Sequence, residues 1–248
     1  MHRPGPQVSY DRIAPIYDAD MGASMALPDV GYYLEQARLA AGPVLELGCG
    51  SGRVLQALLA EGLAAVGIDR SLPMLRQARL RCGSEASLLQ MDMRQLALRG
   101  RFALALLPYS LVTYLLDEAD WQALAQGLSQ TLQERARIII DAFIPRPQLA
   151  DGRWMRDYAR RHQGRWLVRH KRIQQLGDGS HRIERRYRLW GAFGGRTLCT
   201  REQIRAYAPD QLRALCEHHL GRVTRVDWDY GQAASAEQAS FCTLTVQR

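Results

Sequence analysis

Glu46, Gly48, Gly50, Gly52 and Asp69 are the residues of this chain whose types and spacing first suggest chemistry. The stretch VLELGCGSGRV (44–54) is an apolar run that reaches a carboxylate and opens into a loop with glycine at alternate positions. Such glycines let a ligand lie against the main chain, and the N-terminus of a following helix attracts negative charge. The dinucleotide fingerprint G-x-G-x-x-G applies both effects to a pyrophosphate. Here Arg53 stands where the last fingerprint glycine would be, and Glu46 sets a carboxylate near the same loop. That carboxylate suits a ligand with an ammonium end. Two readings stay open at this point: a degraded dinucleotide site, or a different site on a similar scaffold.

The next acidic residues sharpen the choice. Asp69 closes the second apolar run, about twenty residues past the loop, where a carboxylate takes both hydroxyls of a ribose. Asp92, in MDM after the third run, is placed to accept from the exocyclic amine of an adenine. An amino-acid end, a ribose and an adenine together describe S-adenosylmethionine.

Four stretches, VLELGCGSGRV, AVGIDRSLPML, LLQMDMRQL and LALLPYSLVTYL, resemble in order and spacing the successive motifs of class I S-adenosylmethionine-dependent methyltransferases. The resemblance spans roughly residues 9–145, and the C-terminal helix and two strands are similar to the end of that fold. It implies that Glu46, Gly48, Gly50 and Gly52 line the methionine end and ribose edge of the cofactor. It implies that Asp69 binds the ribose hydroxyls, that Arg70 and Met74 flank the adenine, and that Asp92 and the backbone of Met93 hold the adenine edge. Leu107 and Pro108 match the strand end nearest the sulfonium, and Tyr17, in YDRIAPIYD, resembles a lid tyrosine of small-molecule members.

Elements must hold these residues in place. YDRIAPIYDADM has near-helical apolar spacing and reads as a short helix over a site, and a helical pattern runs from Pro28 to Gly42. Strands are expected at 44–47, 64–69, 87–92, 102–108 and 137–143, with helices RVLQALLAEG, LPMLRQARLRC and roughly Glu118 to Leu132 between them. Apolar runs alternating with helices describe an α/β protein with a mostly parallel sheet covered on both faces. The helix PDQLRALCEHHLG and the strands RVTRVDWDY and FCTLTVQR close the chain. The resemblance adds a Rossmann-like seven-stranded sheet, its last strand antiparallel, with helices on both faces. Small-molecule members often carry an antiparallel insertion after the fifth strand that roofs the acceptor pocket. The expected organisation is therefore a cofactor-binding core, 1–150 and 208–248, with an antiparallel β insertion at 151–207.

That insertion is where the charge lies. Between Asp151 and Arg201 there are fourteen Arg or Lys against four Asp or Glu, and Lys171 is the only lysine in a chain of net charge +8. RWLVRHKRIQQL and HRIERRYRLW flank GDGS, a turn signal that makes them a hairpin, and a further strand is expected through GGRTLCT. With period two, Ile183, Arg185, Tyr187 and Leu189 share one face, and Arg182, Glu184, Arg186, Arg188 and Trp190 the other. One face is mostly apolar and the other mostly charged, as a roof over a pocket requires.

Methyl transfer is an in-line displacement that needs alignment and exclusion of water more than proton transfer. An acidic nucleophile would add a general base. Tyr109, just after the fourth strand, is the first candidate at the acceptor, although aromatics also commonly close strand ends. His170 and His181, across the hairpin, are candidate bases whose plainer reading is a solvated strand histidine, and His218 and His219 are weaker still. Tyr10, Tyr114 and Tyr187 are candidates for an aromatic acceptor pocket with Trp154, Tyr158 and Trp190, and core packing explains any one equally well. Asp141 reads as a perturbed buried carboxylate or as a structural cap.

Several classes are disfavoured. No Asn/Asp-Pro-Pro-Tyr follows the fourth strand, a single lysine excludes a Lys-Asp-Lys-Glu tetrad, and no Asp/Asn cluster supports a magnesium site. Five scattered cysteines form no C-x-x-C pair, the N-terminus lacks a signal-peptide pattern, and no apolar run is long enough to span a membrane. A cytoplasmic setting is expected. Three functions compete: methylation of a nitrogen or oxygen on a small-molecule acceptor, methylation of RNA docked on the Arg-rich insertion, and silent binding of the cofactor. Inward arginines pairing an anionic acceptor belong to the first, and aromatic residues interleaved with arginine favour the second. The solvated face of the hairpin favours the first.

Overall fold

Pro15 interrupts the chain's first helix. Ser9–Ile13 (α1) and Tyr17–Met21 (α2) are single turns separated by a 3-10 turn at Ala14–Ile16, because proline lacks the N–H that a continuing helix would use. Asp29–Arg38 (α3) follows. The computed structural model describes residues 9–21, 29–146, 151–191 and 194–248, so Pro28, expected to open α3, lies outside the described residues.

Strands and helices then alternate as Val44–Leu47 (β1), Arg53–Ala60 (α4), Ala65–Asp69 (β2), Leu72–Cys82 (α5), Ser87–Gln90 (β3), Phe102–Leu107 (β4), Glu118–Thr131 (α6) and Leu132–Phe143 (β5). All of β1 and nearly all of β4 are buried, which follows from helices covering both sheet faces. Trp121, Leu124 and Leu128 of α6 pack on one face, and Tyr33 of α3 with Leu55 and Leu58 of α4 on the other. Ser71 caps α5, its hydroxyl accepting from the Met74 N–H at 3.3 Å, and Asp117 caps α6 in the same way at 3.0 Å.

Pro209–His219 (α7), Arg222–Trp228 (β10) and Phe241–Gln247 (β11) complete the sheet, whose order is β10-β11-β5-β4-β1-β2-β3. Strands β1 to β5 run parallel, and β11 is antiparallel to both neighbours. This is the seven-stranded sheet with an antiparallel last strand that the resemblance implies. The strand order reverses between β1 and β4, and such a switch point opens a crevice at the strands' carboxyl ends. The glycine loop leaves β1 at that place.

A second sheet of four antiparallel strands lies between β5 and α7: Met155–His162 (β6), Arg165–Gln175 (β7), His181–Gly191 (β8) and Gly194–Ile204 (β9). The expected hairpin forms, with Gln175 opposite His181 across the GDGS turn. Its period-two faces also separate as expected. Ile183 and Tyr187 are buried, while Arg186 and Arg188 are exposed. Tyr187 and Leu167 bury against Ile13 and Ile16, so this sheet clamps the α1–α2 segment from outside.

Three elements differ from expectation for identifiable reasons. Strand β3 stops at Gln90 and is largely exposed, because it is an edge strand and Asp92 turns the chain by accepting the Arg94 N–H at 3.0 Å. Strand β5 begins at Leu132, extended across a register irregularity beside Arg135, whose φ is 62°. Strand β6 carries no apolar alternation in MRDYARRH. It pairs with β7 alone and has a bulge between Arg156 and Tyr158.

Candidate active site

The glycine loop is held open by Asp69. One carboxylate oxygen accepts the Gly50 N–H at 2.9 Å and the other the Ser71 N–H at 2.8 Å. Each oxygen keeps a further lone pair for a ligand hydroxyl. Gly48, Gly50 and Gly52 all have left-handed backbones, with φ of 63°, 56° and 80°. A Cβ on Gly48 would come within 2.6 Å of Leu111, so that glycine serves packing as well as conformation. A Cβ on Gly50 would stand 3.5 Å from Met74 and 4.0 Å from the Tyr17 ring, in the space between them.

Glu46 is the loop's other charge. It is 2% exposed, and its Oε2 has no hydrogen-bond partner. Burial pushes its pKa up to about 8, against the pull of the Arg53 guanidinium. An unpaired carboxylate oxygen calls for a donor carrying positive charge. The α-ammonium of S-adenosylmethionine is such a donor, and the residues present fit that group.

The α1–α2 segment lies across this loop. Ser51 Oγ donates to Asp18 at 2.6 Å, Arg81 pairs with Asp18 at 2.6 Å, and Ser71 Oγ donates to Asp11 at 2.6 Å. From the other side Asp20, 2% exposed, receives the hydroxyls of Tyr158 and Tyr187 and the Arg169 guanidinium at 2.6 Å. The lid is thus fastened to the glycine loop by one set of acids and to the second sheet by another.

Beyond β4 the chain turns through two strained residues, Tyr109 (φ 54°) and Ser110 (φ 61°). Their N–H groups donate to the buried Asp141 carboxylate at 2.9 and 2.6 Å, and the hydroxyls of Tyr33 and Tyr230 also converge on it. Burial raises the Asp141 pKa in spite of these four donors. Burial, and then the Asp141 charge, raise the pKa of Tyr109, so its phenol stays protonated at neutral pH and offers a proton donor.

The other residues that the resemblance assigns to the cofactor differ in burial and in their partners. Met74 and Met93 are buried, and Leu107 is wholly enclosed beneath the strand end. Arg70 lies 3.9 Å from Asp92. Asp92 itself is engaged by Arg94, from Nη2 at 2.7 Å and Nε at 2.9 Å. Burial opposes its charge, but the Arg94 hydrogen bonds outweigh burial and hold its pKa below the usual range. Tyr10 stacks edge-on against Tyr17 at 5.8 Å and shares a hydrogen bond of 2.6 Å with the Tyr114 hydroxyl. Tyr187 is buried against the lid.

The two histidines separate. His170 projects from the outer face of the second sheet, beside Trp154, Arg186 and Arg188, away from the lid. His181 starts β8 in register with the inward residues, its Nδ1 buried and without a partner. The inward arginines are already paired: Arg169 with Asp20 and Asp157, and Arg185 with Glu202 at 2.6 Å. Sequence reasoning did not reach Glu202, Asp20 or Asp18. Their only trace is alternation in TLCTREQI and acids at alternate positions in YDADM, which ordinary solvated residues also produce.

Fold and site together define a class I methyltransferase scaffold. Residues 44–135 match the family described as the methyltransferase domain, so that segment of the chain is a methyltransferase domain. Among solved structures it is similar to an S-adenosylmethionine-dependent methyltransferase from Clostridium acetobutylicum (17% identity, 96% of this chain and 98% of that one, TM-score 0.79). It is also similar to the sugar N-methyltransferase KedS8 from a Streptoalloteichus species (22%, 100% and 97%, TM-score 0.74). A third is CalS10 from Micromonospora echinaspora, an amino pentose methyltransferase of calicheamicin biosynthesis solved with bound S-adenosylmethionine (20%, 99% and 100%, TM-score 0.72). At these identities the likeness is one of fold. A search of curated proteins returns no match. Among the described residues no helix is long and apolar enough to cross a membrane.

Proposed function

We propose that the chain transfers a methyl group from S-adenosylmethionine to a nitrogen or oxygen of a small-molecule acceptor in secondary metabolism. One observation carries this reading: Tyr17 and Tyr10, on a lid fastened by Asp18 and Asp20, stand between the glycine loop and the inward face of the second sheet. Such an enclosure suits an acceptor that enters whole. Small-molecule methylation named for the similar structures KedS8 and CalS10 supports the same reading. In it, residues 1–150 and 208–248 form the core and 151–207 the roof.

Bound S-adenosylmethionine supplies a methyl group on a sulfonium. Glu46 holds the ammonium, Asp69 the ribose hydroxyls, Arg70 and Met74 flank the adenine, and Asp92 with Met93 meets its edge. Gly48, Gly50 and Gly52 keep side chains out of the ligand's path. Tyr109, Tyr10 and Tyr114 line the acceptor side, where protonated phenols orient a polar group and their rings exclude water. The Arg-rich outer face, with Trp154 between Arg172 and Arg186, is the feature that an RNA substrate would use.

The test is incubation with methyl-labelled S-adenosylmethionine and a cell extract separated into RNA and small-molecule fractions. Label in the small-molecule fraction, lost in Asp69→Ala, is expected. Label in RNA would replace this reading with the docking of a nucleic acid on the second sheet.

A further inference from the structure

Among the described residues two carboxylate oxygens are buried without a hydrogen-bond partner: Glu46 Oε2 and Glu202 Oε1. Glu46 sits on the glycine-loop side of the lid. Glu202 sits on the other side, facing inward from β9 opposite Ile183, and it is 8% exposed. Its Oε2 is occupied twice, by Arg185 Nη1 at 2.6 Å and by the Tyr114 hydroxyl at 3.3 Å. Oε1 has no donor. A buried carboxylate oxygen left in that state is unfavourable until a donor reaches it, and a charged donor answers it best.

The surroundings select the sign of that donor. Aromatic rings border Glu202, with Tyr114 6.4 Å from Tyr10 and Tyr10 5.8 Å from Tyr17, and ring faces attract cations. The cations at the centre of the inward face are committed elsewhere: Arg169 to Asp20 and Asp157, Lys171 to Asp157, Arg185 to Glu202 itself. An anionic acceptor finds no unpaired partner among them. An ammonium finds one oxygen and two rings.

We infer that Glu202 anchors a protonated amine of the acceptor through Oε1, with Tyr10 and Tyr114 as the flanking wall. This rests on the crevice being the methyl-transfer site, and it narrows the acceptor class to amine-bearing small molecules. Glu46 and Glu202 then serve as paired carboxylate anchors, one for the amino group of each ligand.

The test uses the full chain saturated with S-adenosylhomocysteine and calorimetric titration at neutral pH with three ring probes of one shape: cyclohexylamine, cyclohexanol and cyclohexanecarboxylate. The amine is expected to bind at least tenfold more tightly than the other two. Glu202→Gln is expected to abolish that preference while S-adenosylhomocysteine binds within threefold of the unsubstituted chain. Glu202→Asp, which keeps the charge, restores part of the preference and guards against a simple loss of folding. Equal binding of the alcohol or carboxylate, no saturable binding of the amine, or an unchanged preference in Glu202→Gln overturns the inference alone. Failure of the unsubstituted chain to bind S-adenosylhomocysteine overturns the underlying reading with it.

Discussion

The carboxylate of Asp141 accepts the backbone N–H of Tyr109 at 2.9 Å, joining the end of β5 to the turn that follows β4. The adjacent Ser110 N–H binds the other oxygen, and two tyrosine hydroxyls complete the set. A turn of two left-handed, non-glycine residues persists only where its surroundings over-determine it, and here one buried anion does so. Leu111, the next residue, packs on Gly48, so the same carboxylate steadies the glycine loop from behind.

Asp141→Ala is therefore expected to lower stability by about 3 kcal/mol, because four donors lose a buried acceptor. Urea denaturation measures it. Asp141→Asn, which keeps acceptor capacity on one oxygen, should recover part of the loss.

Glycine substitutions separate backbone strain from ligand space. Gly50→Ala and Gly62→Ala both place alanine at positive φ, 56° and 73°, at a cost of about 1–2 kcal/mol each. A Cβ on Gly62 meets nothing within 4 Å, whereas one on Gly50 enters the space between Met74 and Tyr17. Both variants should lose similar stability in thermal melts. Only Gly50→Ala should lose affinity for S-adenosylhomocysteine, by tenfold or more in calorimetry.

Glu46 sets a pH dependence with a definite sign. Its pKa in the free protein is raised to about 8, so between the ordinary carboxylate range and pH 8 the folded chain binds more protons than the unfolded one. Its contribution to stability is fully present below the unfolded pKa and is lost as pH rises through about 8. An ammonium at Oε2 favours the ionised form, so S-adenosylhomocysteine affinity should rise from pH 6 to pH 8. Proton release, seen as a dependence of the calorimetric enthalpy on buffer, should accompany binding at pH 7. Glu46→Gln should flatten both profiles.

The lid's outer fastening is the Asp20 cluster. Asp20→Ala leaves Arg169, 11% exposed, with Asp157 alone and removes the acceptor of two phenols. Breaking a buried ion pair of this kind costs about 3–5 kcal/mol. Hydrogen exchange across residues 9–21 should speed up by tenfold or more, while amides of β1 and β4 keep their protection.

Much of this molecule is written in local pattern. Mostly apolar runs such as VLEL and FALALL identify strands covered on both faces. Glycines at alternate positions identify a loop of left-handed backbone, and the alternation in HRIERRYRLW identifies which face of β8 is buried. These signals depend on a few neighbouring residues, so they survive without knowledge of the fold. The start of β5 and the whole of β6 escaped, because an irregular register and a single-sided edge strand leave no period to read.

Only tertiary structure decided which charges meet. Ser9 hydrogen-bonds the backbone of Arg201 across 192 residues, Asp20 meets Tyr187 across 167, and Tyr114 reaches Glu202 across 88. An acidic residue in YDADM or TREQI reads alone as a solvated side chain. It becomes a lid clasp or an unpaired buried anion only when distant elements remove its water, and desolvation belongs to the packed fold rather than to any stretch of sequence.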